Sequence, residues 1–184
     1  MAKVLVSNLI SLDGYIEGPN GEFDWPVVED EFFSYAESML QSADLLLFGR
    51  KTYEMMAAHW PTEQAIADSP VIAERMNGLP KIVFSSTLKK VDWQNTILVG
   101  EHIEEEILKL KEKPGKDIVI LGSGSIVSQL TQANLIDEYR IIVNPVILGG
   151  GKPEFTGTID RKHLKLIDVK QFKSGVVILY YQPI

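Results

Sequence analysis

The spacing of apolar positions along the chain changes repeatedly, and the changes mark out strands and helices in turn. Val4–Leu9 is a short apolar run broken only by Ser7 and Asn8, which predicts an opening strand. Between Glu29 and Gln41 the apolar residues Phe32, Phe33, Ala36, Met39 and Leu40 fall three and four apart, the spacing of an amphipathic helix. Ala43–Phe48 is continuous through Leu45-Leu46-Leu47-Phe48, as in a strand covered on both faces. Gly49-Arg50-Lys51-Thr52 follows and leads into a helix through Tyr53, Met55 and Met56. A further helix is predicted over Ser69–Asn77, closed by Gly78 and Pro80. Lys81–Ser85 and Thr96–Val99 read as strands, and His102–Lys113 as a charged amphipathic helix stopped by Pro114-Gly115.

Asp117–Leu121 is a β-branched run that breaks at once into Gly122-Ser123-Gly124-Ser125, after which Ile126, Val127 and Leu130 recur at helical spacing to about Ala133. Beyond that point only strands are predicted. Ile136–Val143 enters Asn144-Pro145, Val146–Lys152 leads through three glycines, and Leu164–Phe172 and Val176–Tyr181 form a hairpin about Ser174-Gly175. Ser11–Gly21 reads as a loop, punctuated by Asp13-Gly14, Gly18-Pro19 and Asn20-Gly21. Alternation followed by strands alone implies an α/β fold of one domain, residues 1–184, with a central, mostly parallel mixed sheet that turns antiparallel at its C-terminal end.

Composition narrows the function classes. A chain of 184 residues supports a sizeable core, since about 150 residues already bury roughly 68–70% of their unfolded surface. The 18 basic and 25 acidic residues give a net charge of −7, which argues against a general nucleic-acid or anionic-membrane binder. An anionic ligand then needs a local cluster of donors. The chain has no cysteine, which excludes disulfides, thiolate metal sites and a cysteine nucleophile. No apolar run approaches the roughly 20 residues of a membrane span, and the N-terminal segment reads as a strand, so the expected location is cytoplasmic.

Loops at the carboxyl ends of parallel strands converge in an open α/β sheet. Three such loops here are rich in anion donors: Gly49–Thr52, Ser85–Thr87 and Gly122–Ser125. Each alone is equally an ordinary strand-to-helix turn; together they suit an elongated ligand with separated phosphates, such as a dinucleotide. Helix N-termini offer free N–H groups, and the missing Cβ atoms of Gly122 and Gly124 allow close approach. Arg50 and Lys51 at a helix start oppose its dipole, which favours an anionic partner there. Neither GxGxxG, GxxxxGK[ST] nor GxSxG is present, and His59, His102 and His163 lack metal-ligand spacing.

Taken in order, ISLDGYIEGPNGEFDW, LLLFGRKTYE, VFSS, ILGSGSIVSQL and LIDEYRIIVNPVILGGGKPEF resemble the dihydrofolate-reductase-like family that contains the riboflavin-biosynthesis reductase (RibD C-terminal) domain. The resemblance implies a dihydrofolate-reductase-like three-layer fold, an NADPH-dependent reductase and a homodimer. It implies that Gly49, Arg50, Lys51 and Thr52 hold the cofactor phosphates, with Ser85 and Ser86 on the 2′-phosphate side. Gly122, Ser123, Gly124, Ser125 and Ile126 would hold the pyrophosphate and nicotinamide ribose. Asp13, Gly14 and Trp25 would border nicotinamide and substrate, and Asp13 and Asp30 are the candidates for proton transfer. The implied acceptor is a C=N bond of a small polar heterocycle, or an open-chain sugar imine or carbonyl attached to one, as in 5-amino-6-(5-phosphoribosylamino)uracil. Two features depart from the riboflavin-pathway pattern: Leu121 stands where a glutamate precedes the glycine pair, and no zinc deaminase signature accompanies the domain. Asp30, five residues after Trp25, lies close to where the pterin-binding acid of dihydrofolate reductases falls, although Asp24, Glu29 and Glu31 beside it also fit an acid-rich helix start. The alternatives are a pterin-type reductase, a non-catalytic nucleotide-binding domain, and a hydrolase built on Asp13 or Asp30 with a histidine.

Overall fold

In the computed structural model, which describes residues 2–115, 117–157 and 160–184, eight strands form one twisted sheet. Those in parallel array are β1 (Val4–Ser11), β3 (Ala43–Gly49), β4 (Lys81–Phe84), β5 (Thr96–Val99), β6 (Asp117–Leu121) and β7 (Glu138–Asn144). The hairpin β9 (Leu164–Gln171) and β10 (Val177–Pro183) adds to β7 through an antiparallel pairing of β10. The order across the sheet is β5-β4-β3-β6-β1-β7-β10-β9. β1, β3 and β6 are therefore central, as their near-continuous apolar sequences require.

Helices cover both faces. On one, α1 (Asp30–Ser42), α2 (Arg50–His59) and α4 (Pro70–Gly78) contribute Tyr35, Met39, Leu40, Tyr53, Ile72 and Met76 to a core against Leu5, Leu46, Phe48 and Val119. On the other, α5 (Ile103–Glu112) and α6 (Gly124–Gln132) lay Ile103, Ile107, Ile126, Val127 and Leu130 on Val4, Val6, Leu47 and Ile120. Alternate residues of one central strand serve opposite cores, as the two-residue period of a strand demands. The α/β mixed sheet with antiparallel C-terminal strands is thus as the sequence predicts.

Two short features are absent from the sequence reading. Within the predicted loop 11–21, β2 (Tyr15–Glu17) pairs antiparallel with β8 (Lys152–Pro153), and Glu154 N–H donates to the Gly14 carbonyl at 3.0 Å. A three-residue strand is too short to display alternation. Helix α3 (Glu63–Asp68) starts at Thr62, whose side chain accepts from Ala65 N–H at 3.2 Å, and one and a half turns show no apolar period.

Lys81, at the start of β4, is 1% exposed and lies 4.5 Å from the centroid of a Trp93 ring. Its Nζ donates to the carbonyls of Met76, Asn77 and Leu79 at 2.8, 3.1 and 2.7 Å, so it caps the C-terminal end of α4 from within the core. Burial lowers its pKa to about 8. Lys81→Met keeps most of the apolar stem but leaves those carbonyls without their donor. We expect a loss of about 2–3 kcal/mol in urea unfolding near neutral pH, the scale of an unmade hydrogen bond to a charged group.

Candidate functional site

Because β1, β3, β4, β6 and β7 run parallel, their carboxyl ends and following loops lie along one edge of the sheet. β3 and β6 are neighbours, and each passes directly into a helix. Gly49 is the N-cap of α2, and Ser123 the N-cap of α6, with Ser123 in the left-handed region at φ 61°. The two helix starts are joined through one hydroxyl. Ser123 Oγ accepts the Gly49 N–H at 2.6 Å and hydrogen-bonds Thr52 Oγ1 at 3.1 Å.

Neither start carries an acidic residue in its first turn or a side-chain cap. α4 shares this lack, whereas α1 opens with Asp30 and Glu31, α3 with Glu63, and α5 with Glu104, Glu105 and Glu106. The donor set at α2 and α6 is what a pyrophosphate requires: two positive helix ends, uncapped first turns and hydroxyls close by. The third predicted loop reaches the same place. Arg50 Nη1 donates to Thr87 Oγ1 at 2.9 Å, while its Nε meets Glu54 at 2.9 Å. Ser85 Oγ accepts from the N–H groups of Thr87 and Leu88, so it shapes its own turn, and Ser86 is exposed beside it. Lys51 is exposed, 3.4 Å from Glu17. Ser125 is exposed and Ile126 buried.

The glycines are also required by the protein's own packing. A Cβ on Gly122, at φ 60°, would lie 2.7 Å from Thr52 Oγ1; one on Gly124 would lie 3.0 Å from the Glu154 carbonyl oxygen and from Ile16 Cδ1. The absent side chains let the protein's own loops close on the turn.

Asp13, Gly14 and Trp25 belong to loops at the β1 and β7 ends. Asp13 accepts from Ser11 Oγ at 2.7 Å and from the N–H groups of Leu148 and Gly149 at 3.1 and 2.8 Å. The Ser11 hydroxyl chiefly, and these amides, hold its carboxyl below the usual range. Asp13 is thus an ionised staple across the triple-glycine loop. Gly14 turns at φ 89°. Trp25 is half-buried, donates to the Glu22 carbonyl at 3.2 Å and meets Phe23 edge-on; its segment is tied to β7 by Val27 N–H donating to Asn144 Oδ1 at 2.8 Å. Asp30 is exposed in the first turn of α1, which places it as a helix-start acid. Among the described residues no group of three or more histidines, cysteines or carboxylates could hold a metal.

Three buried side chains escaped the sequence reading. Asn144 is wholly buried and orders the Trp25 segment, and Asn8 and Glu154, also buried, meet beneath the glycine turn. The signal for Asn8 is a polar residue in a central apolar strand; Glu154 in KPEF gives none. A groove of about 860 Å³ lies apart, lined by Tyr53, Leu88, Lys89 and Trp93, and contains none of the glycine-turn residues.

The model of the RibD C-terminal domain family matches residues 2–178. The uncharacterized protein YyaP of Bacillus subtilis (strain 168) is 34% identical over 179 residues, 97% of this chain and 94% of that one. A solved protein of Shewanella sp. PV-4, named for riboflavin biosynthesis, is 24% identical with a TM-score of 0.76, covering 100% of this chain and 99% of that one. The diaminohydroxyphosphoribosylaminopyrimidine deaminase/5-amino-6-(5-phosphoribosylamino)uracil reductase of Thermotoga maritima superposes at a TM-score of 0.67 with 14% identity, over 100% of this chain and 57% of that one. These two solved structures share the fold. No helix among the described residues is long and apolar enough to cross a membrane.

The packing around Gly122 has a direct test. Gly122→Ala puts a Cβ into the left-handed region and against Thr52, so urea unfolding should show a loss of about 1–3 kcal/mol. Thr52→Ala removes the hydroxyl and methyl it would strike, and the double variant should recover part of that loss in a double-mutant cycle. Additive losses would mean that Thr52 is not what excludes a side chain at Gly122.

Proposed function

The chain belongs to the RibD C-terminal domain family, and from that premise we propose that it is an NADPH-dependent reductase acting on a small polar heterocycle. The observation that carries this reading is the meeting of two helix starts, α2 and α6, without acids or side-chain caps, in a protein whose net charge is −7. NADPH supplies the hydride, and the protein binds, orients and excludes water. The first turns of α2 and α6 take the pyrophosphate, and Ser123 fixes their separation through Gly49 and Thr52. Arg50 stands beside the Ser85–Thr87 loop and pairs there with the 2′-phosphate. Lys51, largely exposed, adds charge to the approach.

The substrate lies towards the loops after β1 and β7, where Asp13 and Asn144 brace the backbone from opposite sides. Asp13 orders this end while remaining ionised. With Leu121 in place of an acid, a C=N acceptor takes its proton from water or from the substrate's own groups. The acceptor resembles 5-amino-6-(5-phosphoribosylamino)uracil in class: a polar ring with an attached imine or open-chain sugar. The setting of this activity is cytoplasmic.

We also propose a homodimer. β9 is an edge strand of the sheet, and its Leu166, Ile167 and Val169 are exposed, a composition that invites covering by a second copy about a two-fold axis. Light scattering at micromolar concentration should return twice the mass of one chain. A single-chain mass, unchanged on concentration, would defeat this.

Two measurements test the function. Loss of reduced-nicotinamide absorbance across a panel of polar heterocyclic acceptors should reveal turnover with NADPH; binding without any turnover would favour a nucleotide-binding domain. In calorimetry NADPH should bind tighter than NADH. Arg50→Ala should weaken NADPH about tenfold while changing NADH much less, as expected when one charge-assisted contact is lost. Equal affinity of the unaltered protein for both cofactors would sink the preference.

A further inference from the structure

Beneath the glycine turn lies a buried acid that the reaction proposed above leaves unused. Glu154, just past β8, is 2% exposed, and Asn8, on β1, is 1% exposed. Asn8 Nδ2 donates to Glu154 Oε1 at 2.7 Å and to the Gly122 carbonyl at 3.0 Å. The Gly122 carbonyl can only accept, so it fixes which end of the amide faces it. Both amide hydrogens are then used. Two atoms are left over: Asn8 Oδ1 and Glu154 Oε2 are buried without a hydrogen-bond partner among the described residues.

The two orphans belong to groups already joined by one bond. An ionised carboxylate has no hydrogen to give, so both oxygens would stay unsatisfied in a buried place, each at a real cost. A neutral acid has one hydrogen. Placed on Oε2, it would be donated to Asn8 Oδ1 and would close the two-bond ring of an acid paired with an amide. One proton satisfies both orphans.

We propose that Glu154 works as a neutral acid paired with Asn8 through two hydrogen bonds, and that this pair positions the Gly122–Gly124 turn. The pair grips the turn at two points. Asn8 holds the Gly122 carbonyl, and the Glu154 carbonyl oxygen lies 3.0 Å from where a Gly124 side chain would begin. That this turn receives the cofactor rests on the function proposed above; that the pair holds the turn does not.

The surroundings support a proton there. Burial is the largest influence and pushes the Glu154 carboxyl up to about 7, against the lowering effects of the Asn8 bond and of Lys152. Lys152 is on β8 itself, and Tyr139 on β7 is the other titratable group that senses Glu154. Across the β2 pairing Glu17 stands opposite Lys152 and meets Lys51, and Tyr15 lies on the same strand. β1 and α6 carry no ionisable side chain. A carboxyl whose folded-state pKa is raised contributes stability that is full below its unfolded value of 4.5 and is lost as pH rises through about 7.

Glu154→Gln reproduces the neutral ring without a titrating proton: its amide donates to Asn8 Oδ1 and its carbonyl accepts from Asn8 Nδ2. Urea unfolding of the cofactor-free protein, from about pH 5.5 to 8.5, should show the unaltered protein losing stability relative to Glu154→Gln as pH rises. Infrared spectroscopy of the unaltered protein at about pH 6 should show a protonated-carboxyl band, because exposed carboxyls are ionised there. NADPH affinity in calorimetry should weaken about tenfold from pH 6 to pH 8 relative to Glu154→Gln; titration of the 2′-phosphate occurs in both proteins and cancels. Parallel unfolding profiles, or no protonated-carboxyl band, would overturn the proposal, and the infrared arm decides it even if the variant fails to fold. If neither protein binds NADPH, the reductase reading falls, and the unfolding and infrared results still decide the pair.

Discussion

The hydroxyl of Ser123, accepting the Gly49 N–H, fixes the relation between two helices that start from neighbouring strands. Residues 49 and 123 are far apart in sequence, and only the parallel register of β3 on β6, with Leu47 opposite Ile120, brings the strand ends level. Once they are level, α2 and α6 present their positive ends to the same space. Two such ends repel one another weakly, and the protein supplies no acid in either first turn to relieve them. An anionic ligand placed there would relieve that electrostatic conflict.

The neighbouring loops along this edge of the sheet are built by different means. There the loops after β1 and β7 are laced by main-chain bonds and short side chains: Leu12 N–H to the Val146 carbonyl at 2.8 Å, Asp13 to Leu148 and Gly149, and Asn144 to Val27. Gly149 and Gly151 take φ values of 74° and 129°, and a side chain on Gly151 would strike the Glu17 carbonyl. Gly151 is therefore the close backbone crossing of this loop, against the end of β2. The loops after β3 and β6 gather main-chain and hydroxyl donors; those after β1 and β7 are fixed in shape.

Much of this was legible in the sequence because it is local. The long helices and central strands announce themselves by period, and the three donor loops by glycines and hydroxyls placed immediately after apolar runs. The unread features are those whose partners are distant. Nothing near Asp13 tells that its carboxylate will be held by Leu148 and Gly149, and nothing near Gly122 tells that Thr52 will exclude a Cβ there. Asn8 registered only as a break in the first strand, and Glu154 as one letter of a glycine-rich motif; their meaning lies in a contact spanning most of the chain. β2, β8 and α3 were missed because they are shorter than the periods that would reveal them.

The placement of acids ties the two sets of loops together. Of the chain's 25 acidic residues, six (Asp30, Glu31, Glu63, Glu104, Glu105 and Glu106) occupy the first turns of α1, α3 and α5, where the helix dipole favours them. Acids are absent from the first turns of α2, α4 and α6, and of these α2 and α6 start side by side, where a carboxylate would compete with a bound anion. Glu154 stands beside one of these starts, since its main chain packs on Gly124 at the start of α6. Ionised, it would answer the positive end of α6 from within the protein and weaken the field offered to a ligand. Held neutral against Asn8, it braces the turn and leaves that field undiminished.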